Sequence, residues 1–134
     1  MKIGILGYGT VASGLVDIID NNKDKRDISI EGILVRDVSK HAHRKHSDVL
    51  TSDIEYIFNK DVDVAVLETA RGGIIRKGLA YDLADVAVIT NITEDHLGLD
   101  RINTMDDLCN VKSLVAEAVK DDGYVVINAD DKWS

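Results

Sequence analysis

Lys2-Ile-Gly-Ile-Leu-Gly-Tyr-Gly-Thr-Val-Ala-Ser-Gly14 is the stretch whose reading decides the fold. An apolar run (Ile3, Ile5, Leu6) leads into a turn containing Gly7 and Gly9, and Thr10, Val11, Ala12 and Gly14 follow where a helix opens. Strand, tight glycine turn and helix N-terminus in that order form an arrangement that receives a pyrophosphate. Gly7 permits the turn, Gly9 lets backbone approach the phosphates, and Ala12 stands third in a G-x-G-x-x-[GA] pattern. The alternative is a glycine-rich βα turn that holds no ligand.

Working outward, Val11, Leu15, Ile18 and Ile19 recur at helical spacing and predict a first helix from about Thr10 to Ile19. Asn21 to Asp27 is a charged turn, and Ile28 to Val35 reads as a second strand ending at Arg36-Asp37. Ser39 to Ser47 is polar and basic. His41, His43 and His46 lie there without a Cys or carboxylate at ligand spacing, so the segment reads as a solvated loop. Ser52-Asp-Ile-Glu55 reads as a capping box before a short helix carrying Ile54, Ile57 and Phe58.

Val62 to Leu67 is a third strand, and Glu68 follows it. After the Thr69–Gly73 turn, Ile74, Ile75 and Leu79 mark a helix, and Asp85 to Thr90 is a fourth strand with the loop Asn91 to Arg101 beyond it. Thr104 to Asp107 caps the longest helix, with Leu108, Val111, Val115 and Ala118 on one face. Asp121-Asp-Gly123 reads as a turn, and Tyr124 to Ile127 as a fifth strand.

Strands alternating with helices predict an α/β fold: a three-layer, Rossmann-like, doubly wound parallel sheet of about five strands in order 3-2-1-4-5, forming a single domain over residues 1–134. In such sheets ligands lie beyond the strand C-termini, which brings the Gly7 turn, Arg36, Glu68 and Asn91–Asp95 to one edge.

The 134 residues carry a net charge of −8. That balance argues against nucleic acid or an anionic membrane as a main partner. A small-molecule nucleotide is the expected partner, held by backbone N–H groups and one or two basic side chains; oligomeric state is left open. No apolar run is long enough to span a membrane, so a cytoplasmic location is expected. Cys109 is the sole cysteine, which excludes an internal disulfide, and its helical setting predicts a small half-buried side chain. A Trp beside the terminal Ser134 gives the chain the look of one cut off.

Two family resemblances divide the chain. Gly7-Tyr-Gly-Thr-Val-Ala-Ser-Gly14, Ile33-Leu-Val-Arg-Asp-Val-Ser-Lys40 and Leu50-Thr-Ser-Asp-Ile-Glu55 resemble the N-terminal NAD(P)-binding segment of homoserine dehydrogenase. The resemblance implies NADP or NAD as cofactor. Gly7, Gly9, Thr10, Val11 and Ala12 would contact it in the turn, with Arg36 beside a 2′-phosphate or Asp37 on a ribose hydroxyl. The family's catalytic lysine would fall near Thr90-Asn-Ile-Thr-Glu94, where no lysine stands, and its substrate domain has no counterpart among these residues.

Leu67-Glu-Thr-Ala-Arg-Gly-Gly-Ile74, Val88-Ile-Thr-Asn-Ile-Thr-Glu-Asp-His-Leu-Gly98, Val111-Lys-Ser113 and Val126-Ile-Asn-Ala-Asp-Asp131 resemble the central ATP-dependent domain of cyanophycin synthetase, which is similar to the Mur ligases. That resemblance implies Mg-ATP, with Glu68 and His96 as metal ligands and Lys112 at the position some members carbamylate. The Gly-Lys-Thr or Gly-Lys-Ser of a P-loop is missing from the chain. The sequence thus reads as a composite joined near Asp61–Val66. Its expected role is an NAD(P)-binding module without complete catalytic machinery, the alternatives being a fragment of an ATP-dependent amide-forming ligase or a chimeric fold with no ligand.

Overall fold

A computed structural model describes residues 1–94 and 97–133 and divides into two compact units, Met1–Glu68 and Thr69–Ser134.

The first unit is built on β1 (Lys2–Leu6), followed by α1 (Thr10–Asn21), β2 (Ser29–Leu34), β3 (Leu50–Thr51), α2 (Ile54–Phe58) and β4 (Val64–Leu67). The four strands form one parallel sheet in the order β3-β2-β1-β4. The 3-2-1-4 pattern is the one expected, but a strand not foreseen enters it, so Val62–Leu67, read as the third strand, becomes the fourth. The strands read as fourth and fifth pair with each other. The outer position belongs to the two-residue strand Leu50–Thr51, too short to show a periodicity, while Val64–Leu67 lies on the other side of β1.

Side chains alternate across a strand, so Ile3 and Ile5 share one face of β1 and Gly4 the other. Ile3 and Ile5 pack with Ile30, Ile33 and Val35 and with Ala12, Val16 and Ile19 of α1. These α1 positions step by four and three, and they are the helix's buried face. The expected Val11 and Ile18 are instead 52% and 63% exposed, because the burying stripe is rotated by one position toward Ala12. On the other face α2 lays Ile57 against bare backbone. A Cβ at Gly4 would stand 2.5 Å from Ile57 Cγ2, and one at Gly32 2.8 Å from its Cγ1. Glycine in both strands is what lets this helix come so close.

Two local expectations are revised. Asp53, not Ser52, caps α2, its carboxylate accepting from the Glu55 amide at 3.0 Å. The Ser39–Ser47 segment is not simply solvated. It contains a short 3-10 turn, Val38–His41, a second follows at Ser47–Val49, and Arg44, Lys45 and His46 all reach back to the β1–α1 region.

The second unit comprises α3 (Arg71–Lys77), β5 (Ala84–Ile89), α4 (Met105–Glu117) and β6 (Val119–Ile127). β5 and β6 form a parallel pair of their own. The expected turn at Asp121–Gly123 is absorbed into β6, where the register slips between the Ala84–Val119 and Val86–Tyr124 pairs. Only glycine fits at 123, since a Cβ there would lie 2.6 Å from the Asp85 carbonyl oxygen. Leu108, Ile92 and Ile102 make a small core, with Cys109 and Trp133 packed at its edge. Cys109 is half-buried, and burial pushes its thiol pKa up, in line with an inert packing role. Thr104 and Asp107 form a complete capping box at the start of α4. Among the described residues no helix is long and apolar enough to cross a membrane.

Candidate functional site

The β1–α1 turn stands at the carboxyl edge of the first unit's sheet, between the ends of β2 and β4. Gly7 takes a positive φ of 105°, open to glycine at little cost, and donates its N–H to the Leu34 carbonyl at 3.0 Å. Gly9 is the N-cap of α1 and has no side chain to satisfy the first helical amides. Another residue does so. Glu68, immediately after β4, accepts from the Gly9 amide through Oε2 at 2.7 Å and from the Val11 amide through Oε1 at 3.3 Å. The turn thus draws two backbone N–H groups together on an anion, and that anion belongs to the chain itself.

Tyr8, between the two glycines, is 6% exposed. Its ring stacks on His41 with centroids 6.0 Å apart, and its hydroxyl donates to the Lys45 carbonyl at 3.0 Å. Arg44 lies over the same ring, 4.9 Å from its centroid, and its Nη1 donates to the Tyr8 carbonyl and, at 3.1 Å, to Ser13 Oγ. Burial raises the Tyr8 phenol pKa despite the nearby guanidinium. Lys45 pairs with Asp17 at 2.7 Å and His46 with Asp20 at 2.9 Å. Desolvation works to raise the Asp20 carboxyl pKa, but hydrogen bonds from His46 and Lys23 outweigh it and hold the group below its ordinary value. The segment read from sequence as a loop is thus a basic strap along α1, from Tyr8 and Ser13 to Asp20. Its pairing with Asp17 and Asp20 spans nearly thirty residues of sequence and needed the fold to reveal it.

Arg36 is exposed at the end of β2. Asp37 is engaged locally: it accepts from Ser39 Oγ at 2.6 Å and Ser39 N at 3.0 Å, capping the Val38–His41 turn. The Ser39 hydroxyl, more than any other neighbour, lowers its pKa. Thr10, Val11 and Ala12 open α1, Ala12 buried beneath the turn and Thr10 and Val11 exposed above it.

Of the residues expected to hold a metal, Glu68 has both carboxylate oxygens on backbone amides, so ligation would require it to leave them. His96 falls outside the described residues. Lys112, on α4 of the second unit, donates from Nζ to the Asn91 carbonyl at 3.0 Å. Among the described residues no group of three or more His, Cys, Asp or Glu side chains is placed to hold a cation. An open cleft of this unit is lined by Asn91, Ile92, Met105, Asn128, Asp131 and Trp133. Asp131 holds its wall together by accepting from the Ile92 amide at 2.5 Å and the Trp133 amide at 2.9 Å.

Comparison with known proteins gives four findings. The family model for the Mur ligase middle domain matches residues 9–134. Cyanophycin synthetase of Trichormus variabilis is 59% identical over 71 residues, which are 53% of this chain and 8% of that protein. Homoserine dehydrogenase of Bacillus subtilis is 35% identical over 74 residues, 49% of this chain and 17% of that protein. The UDP-N-acetylmuramoyl-L-alanyl-D-glutamate–2,6-diaminopimelate ligase of Chlamydia pneumoniae is 28% identical over 134 residues, 98% of this chain and 27% of that protein. The chain thus spans less than a third of each of these relatives. Two partial likenesses of about half the chain each stand beside family and ligase matches that run across the expected join.

Proposed function

Since the chain belongs to the Mur ligase middle-domain family, with homoserine dehydrogenase as a second relation, we propose that it is a nucleotide-binding module whose phosphate seat is the Gly7–Ala12 turn, taking NADP or NAD. The observation that carries this is the convergence of the Gly9 and Val11 amides on a carboxylate. Such amides at a helix N-terminus take a phosphate by the same physics. Gly7 and Gly9 would let the pyrophosphate lie against backbone, and Ala12 keeps α1 close to the sheet. Arg36, exposed at the β2 terminus, is free to swing toward a 2′-phosphate, and Asp37 toward a ribose hydroxyl once Ser39 releases it. Bound there, the cofactor would supply hydride chemistry. The residues present bind and orient, and the lysine of the dehydrogenase pattern is missing from Thr90–Glu94. A small-molecule nucleotide as partner, and no nucleic acid, fits the net charge of −8.

A second reading is favoured by the family match itself: a portion of an ATP-dependent, amide-forming ligase that uses Mg-ATP near Glu68, His96 and Lys112. Thermal unfolding with NAD, NADP, ATP and Mg-ATP in parallel separates the readings. A ligand that binds only the folded chain raises its midpoint by mass action. Stabilisation by NADP or NAD supports the first reading, and stabilisation by Mg-ATP alone replaces it with the second. Midpoints unmoved by all four point to a fold without a nucleotide.

A further inference from the structure

We propose that Glu68 is an internal competitor for the phosphate seat: its carboxylate closes the Gly7–Val11 turn, and a phosphate ligand enters only by displacing it. This rests on the reading of the turn as a phosphate seat. Glu68 is anchored at its backbone, where its N–H donates to the Leu6 carbonyl at 3.0 Å and so extends the β1–β4 ladder up to the turn. From that fixed base the side chain lies flat across the glycines. A Cβ built on Gly9 would be 2.5 Å from Oε1, 2.8 Å from Oε2 and 2.9 Å from Cδ, and one on Gly7 would be 3.2 Å from the Glu68 Cβ. No layer of space remains between carboxylate and turn for a phosphate oxygen.

Each carboxylate oxygen takes one amide, as two oxygens of a phosphate would. A carboxylate and a phosphate are both anions, so they cannot share two donors without strong repulsion. Binding and closure are therefore exclusive, and the apparent affinity of any phosphate ligand is its affinity for the open turn reduced by the fraction of chains that are open. The contact joins residues 59 positions apart, and neither the dinucleotide reading nor the ligase reading assigns it. It also makes those readings compete for one side chain. Whatever draws Glu68 toward a cation opens the turn, and whatever fills the turn releases Glu68.

The test is calorimetric titration of wild type, Glu68→Gln and Glu68→Ala with inorganic pyrophosphate and with NADP. It is paired with the NMR amide shifts of Gly9 and Val11. Removing a charge-assisted competitor should tighten binding of both ligands about tenfold or more in Glu68→Ala, with a smaller gain in Glu68→Gln. The Gly9 and Val11 amide signals should move on substitution and return toward the wild-type positions when pyrophosphate is added. If Glu68→Ala fails to fold, Glu68→Gln, equal in size and uncharged, carries the test.

A residue that merely caps the helix would, on removal, lower stability and leave affinity unchanged. Wild type and variants that bind NADP equally well would overturn the competitor and leave the nucleotide reading standing. Absence of pyrophosphate and NADP binding even in the opened variants would overturn both.

Discussion

In β1, Ile3 and Ile5 are 5% and 0% exposed, whereas in β5, of similar composition, Val86 and Val88 are 52% and 58% exposed. Both strands lie in parallel pairings, where burial on both faces is the rule. The first unit meets it with α1 against Ile3 and Ile5 and Ile57 of α2 against Gly4 and Gly32. In the second unit Ala87 is 6% exposed and Ile89 packs with the Leu108 core, while Val86 and Val88 alternate onto the other face. The difference teaches that an apolar strand is only as buried as the helices its neighbours in sequence provide. By Phe58 the chain has already laid down both covers for β1, and β5–β6 has α4 on one side.

That contrast can be broken by mutation. Ile5→Ala should cost about 2–5 kcal/mol, since its site is fully closed and collapses only in part, whereas Val88→Ala should stay within about 0.5 kcal/mol, as surface changes do. Denaturant unfolding of both variants checks it, and similar losses would mean that β5 is as covered in solution as β1. Next in size is Gly123→Ala. The new methyl meets the Asp85 carbonyl oxygen 2.6 Å away, backbone that cannot rotate aside, so a loss of about 1–3 kcal/mol is expected from overpacking. A neutral result would show that β6 does not run continuously through Asp121–Gly123.

Thr104→Ala should cost about 1 kcal/mol by removing the α4 cap, readable in the thermal midpoint and in exchange of the Asp107 amide. The first unit offers a contrast, because the N-cap of α1 is Gly9 and the carboxylate on its first amides comes from Glu68 on another element. The smallest effect is pH-linked. The Asn103 amide, then the Thr104 hydroxyl and amide, lower the Asp107 carboxyl pKa. A lowered folded-state value means this stabilisation is complete above the ordinary carboxylate range and fades as pH falls through the lowered value. Acid titration should therefore loosen the start of α4 in wild type and leave Asp107→Asn flat over the same range. Equal responses would remove the capping box from the account.

The legible parts of this chain share a property: their cause lies within a few residues. Gly7 and Gly9 between an apolar run and a helical one announced β1, the turn and α1, and Thr104 with Asp107 announced α4. Leu50–Thr51 was not legible because two residues carry no period. The buried stripe of α1 was misplaced by one position because Val11 and Ile18 are as apolar as Val16 and Ile19, and only the sheet beneath decides which are covered. Asp121-Asp-Gly123 has the composition of a turn, and its pairing with β5 overrode that. For the site, the sequence brought Glu68 and the glycine turn to the same sheet edge and assigned them to different ligands.

What the amino-acid sequence determined by itself was the alternation of strands and helices, the parallel sense of their pairing and the position of the glycine turn between β1 and α1. These follow from local periodicity and from glycine's freedom at Gly7. What only the tertiary structure decided is which anion the turn meets first. β4 pairs beside β1 and delivers Glu68 to within 2.7 Å of the Gly9 amide. A contact across 59 residues has no local signature, since it is made by the register of two strands and not by the residues between them.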